Sequence, residues 1–75
     1  MVLRTIETYN SATEMGEINR ELEGEQLYHA DIRSLTEGFR MTMEGVFSDL
    51  ESARKAIAER MSKPYTVKTI GGEET

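Results

Sequence analysis

The chain has 75 residues, no cysteine and a formal net charge of −5. A core of this size rarely supplies more than about 3–5 kcal/mol of stability. Without cysteine, neither a disulfide nor a thiolate metal site can add to it. We therefore expect the chain to associate with itself or with a partner.

The acidic balance is strongest in the N-terminal half, and it argues against nucleic-acid binding, because contacts to phosphates need clustered lysine and arginine. The sequence has no run of about 18 apolar residues and so predicts no membrane span. Residues 1–7 lack the charged start and the apolar segment of a signal peptide. These features together predict a cytoplasmic protein.

Residues 2–9 partly alternate between apolar and polar side chains, which predicts a short strand. Ser11 and Glu14 then have the spacing of a capping box, in which the serine accepts a hydrogen bond from the backbone N–H three residues later at the start of a helix. We therefore expect a helical region over residues 11–62.

The apolar residues of this region recur with the period of a helix. They are three or four residues apart, which places their side chains on one helix face. Pro64 disfavours helical geometry at the residue before it and predicts the helix end near Ser62. The sequence thus predicts a mainly α fold with one long amphipathic helix, best supported over residues 32–61. The apolar stripe consists of Ile32, Leu35, Phe39, Met43, Val46, Leu50, Ala53, Ile57 and Met61.

Gly24 lies in a polar stretch, and a glycine costs a helix about 1 kcal/mol relative to alanine. We prefer two helices over residues 12–23 and 26–62 that meet at a turn or kink there; the alternative is one helix of about 50 residues. Gly24, Gly38 and Gly45 also share a heptad spacing. This indicates either a smooth stripe for close helix packing or tolerated surface glycines.

Residues 65–70 are rich in β-forming side chains and predict a second strand, whereas residues 71–75 predict a flexible tail. Two short strands at opposite ends of a helical rod are hard to pair within one chain. Antiparallel association of two copies would bring the N-terminal strand of one beside the C-terminal strand of the other. A helical hairpin, or a helix folded over a small terminal sheet, is the alternative.

The apolar stripe is the predicted interface for a second copy or for a protein partner. Met41, Met43, Phe39 and Phe47 form an apolar cluster that could adapt to several partners, or could simply be core. The predicted interface residues are Ile32, Leu35, Phe39, Met43, Val46, Phe47, Leu50, Ile57 and Met61.

Residues with catalytic or metal-binding chemistry form no recognised motif in the sequence. His29, the sole histidine, has no companion at metal-ligand spacing and is interpreted as a partly exposed helix residue or an interface hydrogen-bonder. Gly71 and Gly72 precede no helix that could receive a phosphate. We therefore predict no catalytic residue, no cofactor and no metal, and a protein that is not an enzyme.

The expected function is that of a small helical oligomeric binding protein that regulates or inhibits a macromolecular partner. Small size and acidic composition alone suggest an accessory protein of a phage or mobile element. The first alternative is a nucleic-acid-linked protein, either a DNA-binding dimer or an acidic DNA mimic. The second is a structural or assembly-chaperone component.

Overall fold

Strands dominate the computed structural model, which describes residues 2–70. They form one antiparallel sheet in the order β4-β3-β2-β1-β5, and a helix packs on one of its faces. Of the described residues, 52% lie in strands and 16% in the helix. The elements are β1 (Leu3–Ser11), β2 (Glu14–Glu21), β3 (Tyr28–Ser34), β4 (Met41–Phe47), α1 (Leu50–Arg60) and β5 (Tyr65–Thr69).

The predicted mainly α fold is wrong, and so are the long helix over residues 32–61 and the shorter helix over residues 12–23. The region of the apolar stripe contains β3, a turn, β4 and only then α1. Gly38 and Phe39 have φ angles of 71° and 56° at the β3–β4 turn, and a continuous helix does not allow positive φ. Cross-strand hydrogen bonds and half-burial of the sheet outweigh the local helical period.

The three glycines at heptad spacing do not form a helical stripe. Gly24 and Gly38 lie in turns, and Gly45 lies in β4. At Gly38 an added side chain would meet open space, so the backbone angle rather than crowding favours glycine there.

Ser11 makes the predicted hydrogen bond in a different structure. Its Oγ accepts from the backbone N–H of Glu14 at 3.0 Å, and the bond closes the turn between β1 and β2. Ser34 makes the same kind of bond to the N–H of Glu37 at 3.1 Å in the β3–β4 turn. A serine three residues before a glutamate therefore marks a turn as readily as a helix start.

The helix begins after Asp49, whose side chain accepts from the backbone N–H of Ser52 at 2.9 Å. Glu51 in the first turn and Arg60 in the last turn match the helix dipole. The backbone N–H of Met61 donates to the carbonyl of Ile57 and closes the helix end. The helix thus ends close to the predicted end at Ser62 but starts much later than predicted.

The core lies between α1 and the sheet face that it covers. At Gly16 on β2, an added Cβ would lie 3.2 Å from Ile57 Cγ2 and 3.3 Å from Met61 Sδ, so the missing side chain lets the helix approach the sheet closely. The buried apolar residues are Tyr9, Ile18, Ala30, Ile32, Ala53, Ile57 and Met61.

An ion pair with a buried carboxylate also joins the helix to the sheet. The Arg54 guanidinium donates to the Glu7 carboxylate on β1, with Nη2 2.7 Å and Nε 3.1 Å from Oε2. The Tyr9 hydroxyl donates to the other oxygen of the same carboxylate at 2.7 Å. Burial and this hydrogen bond raise the pKa of Tyr9 well above its usual range. The Glu7 carboxylate is thus paired and hydrogen-bonded, as a buried charge requires.

The two terminal strands pair with each other inside one chain, contrary to the expected exchange between copies. Tyr9 on β1 is opposite Val67 on β5, and Ser11 is opposite Tyr65. The predicted tail, residues 71–75, lies outside the described residues. In the part of the chain that the structure describes, no helix is long and apolar enough to cross a membrane.

Candidate protein-interaction site

The sheet face opposite α1 is polar along its central strands. Asn19 on β2 accepts a hydrogen bond from the Thr5 hydroxyl on β1 and donates one to Asp31 Oδ2 on β3 at 3.3 Å. Hydrogen-bonded polar pairs across neighbouring strands are typical of a sheet face that meets water. We call this surface the open face.

His29 lies on the open face of β3 rather than on a helix. Its Nε2 is 2.7 Å from Glu21 Oε2 on β2, and the imidazole is buried. The hydrogen bond from His29 lowers the pKa of Glu21, and the backbone N–H of Leu27 contributes in the same direction against the effect of burial. Among residues 2–70, no group of three histidine, cysteine, aspartate or glutamate side chains is placed to hold a metal ion. The hydrogen-bond partner of His29 is thus Glu21 on the neighbouring strand of the sheet.

The edge strand β4 is where the open face becomes apolar. Met41, Met43 and Val46 are opposite Arg33, Asp31 and His29 of β3, so their side chains lie on the open face. Met43 is 59% exposed and Met41 is 54% exposed. In the turn just before the strand, Phe39 is 62% exposed. We call Phe39, Met41, Met43 and Val46 the β4 surface.

The two edges of the sheet differ in how they resist pairing with another strand. Lysine within an edge strand and proline beside it discourage such pairing. The β5 edge has Lys68 within it and Pro64 just before it. The β4 edge has no charged residue from Met41 to Met43, although its register with β3 shifts in a bulge at Glu44. In the described residues no strand pairs with the outer side of β4. The segment from Met41 to Met43, before the bulge, is therefore the part of the β4 edge that is open to another strand.

A polar depression of about 420 Å³ lies beside β4 on the helix-covered side of the sheet. Hydroxyl and charged groups line it, whereas ligand pockets are mostly apolar. The Glu14 carboxylate in its wall accepts from the backbone N–H of Ser62 at 2.7 Å and so already has a structural partner. This arrangement suits hydrogen bonding to polar groups of another molecule. The lining residues are Thr13, Glu14, Ser34, Thr36, Glu37, Arg40 and Thr42.

The structure separates the predicted interface residues into three groups. Ile32, Ile57 and Met61 are buried within this chain. Phe47 and Leu50 are partly buried and pack against the core. The exposed group consists of Leu35, Phe39, Met43 and Val46.

Met41 is not among the predicted interface residues, but the structure places it beside Met43 on the same face of β4. Two methionines at positions i and i+2 are the signal that could have identified it, because alternate residues of a strand share one face.

Comparisons with protein-family models, with curated proteins and with solved structures found no match to this chain.

Proposed function

We propose that this chain is a non-enzymatic protein-binding module that regulates or inhibits a macromolecular partner by binding it along the β4 edge. One observation carries the proposal: the exposed apolar side chains of Phe39, Met41 and Met43 lie together on and beside the uncharged part of the β4 edge that precedes the bulge. An extended segment of a partner can add to such an edge through backbone hydrogen bonds, while its side chains contact the exposed apolar residues.

Burial of the exposed side chains of the β4 surface would stabilise such binding. Full burial of a methionine side chain contributes about 1.5–3 kcal/mol. Met41 and Met43 still expose slightly more than half of their surface. Covering that remainder therefore contributes about 1 kcal/mol or more for each residue. Backbone hydrogen bonds to the strand add register and direction to this apolar contribution.

The experiment is site-specific photo-crosslinking in cells that make the protein. A benzophenone amino acid replaces Met43 on β4 in one variant and Val67 on β5 in the other. The two residues are 59% and 53% exposed and lie on opposite edges, so they form a matched pair. We expect a discrete adduct with another protein from position 43 and not from position 67.

A second change tests whether the adduct depends on the edge. Met41→Lys introduces a charge beside position 43 without altering the core, and we expect it to suppress the adduct. Adducts of equal yield from both edges, or no adduct with any protein, would contradict the proposed function. Adducts between two copies of this chain alone would remove the regulatory role and leave self-association.

A further inference from the structure

The outward-facing backbone groups of β4 follow from its pairing with β3. The backbone N–H of Ser34 donates to the carbonyl of Arg40 at 2.7 Å, which makes these residues a hydrogen-bonded pair. Hydrogen-bonded pairs alternate along an antiparallel ladder, so Thr42 also directs its backbone groups inward. Met41 and Met43 therefore direct their N–H and C=O groups away from the sheet, where an added segment can bond to them.

The two sides of this segment differ in chemistry. Met41 and Met43 place their side chains on the open face, and both are more than half exposed. Thr42 lies between them, and its side chain lies on the other side of the sheet, where it lines the polar depression. Side chains of an added strand alternate in the same way, and residues directly opposite share a face. Such a strand thus brings two side chains over the methionines and the one between them beside the depression.

The polar depression beside Thr42 contains more acidic than basic groups. Its wall contains two carboxylates, Glu14 and Glu37, and one guanidinium, Arg40, which gives a formal charge of −1. Within residues 2–70, neither Glu37 nor Arg40 forms an ion pair. Glu14 accepts there only from the backbone N–H of Ser62, so both carboxylates retain acceptor sites. The depression therefore favours a cationic side chain, as does the net charge of −5 of the chain.

Other side chains fit the position opposite Thr42 less well. An apolar side chain would shield the two carboxylates from water without giving them a partner, which is unfavourable. An acidic side chain would add a third carboxylate beside them, and like charges that face each other are destabilising. A lysine or arginine side chain can pass its apolar stem along the edge and keep its charged end in the depression.

We infer that the partner segment bound at the β4 edge is an extended stretch of another protein with the pattern apolar, lysine or arginine, apolar. Its two apolar residues lie opposite Met41 and Met43, and its cationic residue lies opposite Thr42. The pattern is the same for a parallel and an antiparallel segment, because side chains alternate in both. This inference rests on the proposed function, since it names the chemistry of the partner at the same edge.

The first test selects peptides from a phage-displayed library of random linear nonapeptides on the purified chain. Peptides that also bind Met43→Lys are removed, so those that remain require the β4 edge. We expect them to have apolar residues two positions apart. Between these, lysine or arginine should be about two- to fivefold more frequent than in the unselected library, which is the ratio expected from an exposed ion pair.

A matched lysine on the opposite edge controls for the substitution itself. Val67 on β5 is exposed to a similar extent as Met43, so Val67→Lys introduces the same charge away from β4. The selected peptides should bind Val67→Lys as they bind the wild type. Circular dichroism of both variants shows that the loss of binding by Met43→Lys is not a loss of the fold.

The second test assigns the cationic position by calorimetric titration of one selected peptide and of a copy in which glutamine replaces its central lysine or arginine. The replacement should weaken binding to the wild type about two- to fivefold. It should have a smaller effect on binding to Glu37→Gln, because one of the two carboxylates is then neutral. Glu37 is exposed in the β3–β4 turn, so this variant leaves the core unchanged.

Three results overturn the inference: no peptide that depends on Met43, selected peptides without the alternating pattern, or an equal effect of the central glutamine on wild type and Glu37→Gln. Failure of the inference is distinct from failure of the proposed function. A chain that still photo-crosslinks to another protein from position 43 retains the binding edge and loses only this assignment of the partner segment.

Discussion

Replacing Arg54 by methionine removes the cation that pairs with the buried Glu7 carboxylate and keeps much of the apolar stem of the side chain. Glu7 exposes only 5% of its side chain, and after the substitution it retains the Tyr9 hydroxyl as its hydrogen-bond donor. The substitution therefore isolates the cost of leaving a carboxylate buried without its charge partner.

The magnitude follows from the burial of the two partners. Removing one partner of a fully buried pair costs about 3–5 kcal/mol. Arg54 is 40% exposed, so solvent screens part of the attraction and we expect a cost of about 2–4 kcal/mol. Domains of this length have about 4–11 kcal/mol of total stability, so the variant loses a large part of it. Its melting temperature should fall by at least about 8 °C.

Urea unfolding followed by circular dichroism measures the difference, with Lys55→Met as the control. Lys55 lies on the same helix, is exposed and forms no ion pair within residues 2–70, so its loss should change the free energy of unfolding by less than about 0.5 kcal/mol. Glu7→Gln should cost less than Arg54→Met, because the freed guanidinium can turn to water. Equal costs for Arg54→Met and Lys55→Met would refute the proposed importance of the pair between Arg54 and Glu7.

Three further predictions concern the core and the open face. Ile57→Ala should cost about 2–5 kcal/mol in urea unfolding, because Ile57 is fully buried, and a cost below 1 kcal/mol would place the helix elsewhere. Gly16→Val should cost about 1–3 kcal/mol because of the contacts at 3.2 and 3.3 Å, and a stabilised variant would contradict this close packing. His29 lowers the pKa of Glu21 from its usual 4.5, so the contribution of Glu21 to stability is present above about pH 4.5 and is lost as the pH falls through the lowered pKa. The stability difference between wild type and Glu21→Gln should therefore shrink between pH 7 and pH 3; a constant difference would exclude this linkage.

The predictions that depend only on neighbouring residues in the sequence were the ones that succeeded. Pro64 excludes a helix beyond its predecessor, and α1 ends at Arg60. The alternating residues near the two termini correspond to the strands Leu3–Ser11 and Tyr65–Thr69. Ser11 makes the expected bond to Glu14, but that bond is common to helix starts and tight turns. Local chemistry predicted the contact, and only the pairing of distant strands determines which structure contains it.

The spacing of the apolar residues led to the wrong prediction of a long helix, because residues of two strands, a turn and a short helix together have the period of one helix. Ile32 lies on β3, Phe39 in a turn, Met43 on β4 and Ile57 on α1, yet their spacings match one helix face. Strand β2 offered the opposing signal, since Gly16 and Ile18 face the core while their neighbours do not. Propensity over a window is a weak indication when cross-strand hydrogen bonds compete with it.

The apolar side chains of the candidate site are exposed because the chain is short. In the described residues the one helix, of 11 residues, covers a single face of a five-stranded sheet. Apolar side chains on the other face, such as Met41 and Met43, are therefore not covered by any of the elements within residues 2–70. Short chains bury a smaller fraction of their surface on folding than long chains do, about 60% at this length. The small size of the chain led us to expect a binding partner from the sequence alone. The exposed β4 surface is the place on the structure where binding of that partner can be tested.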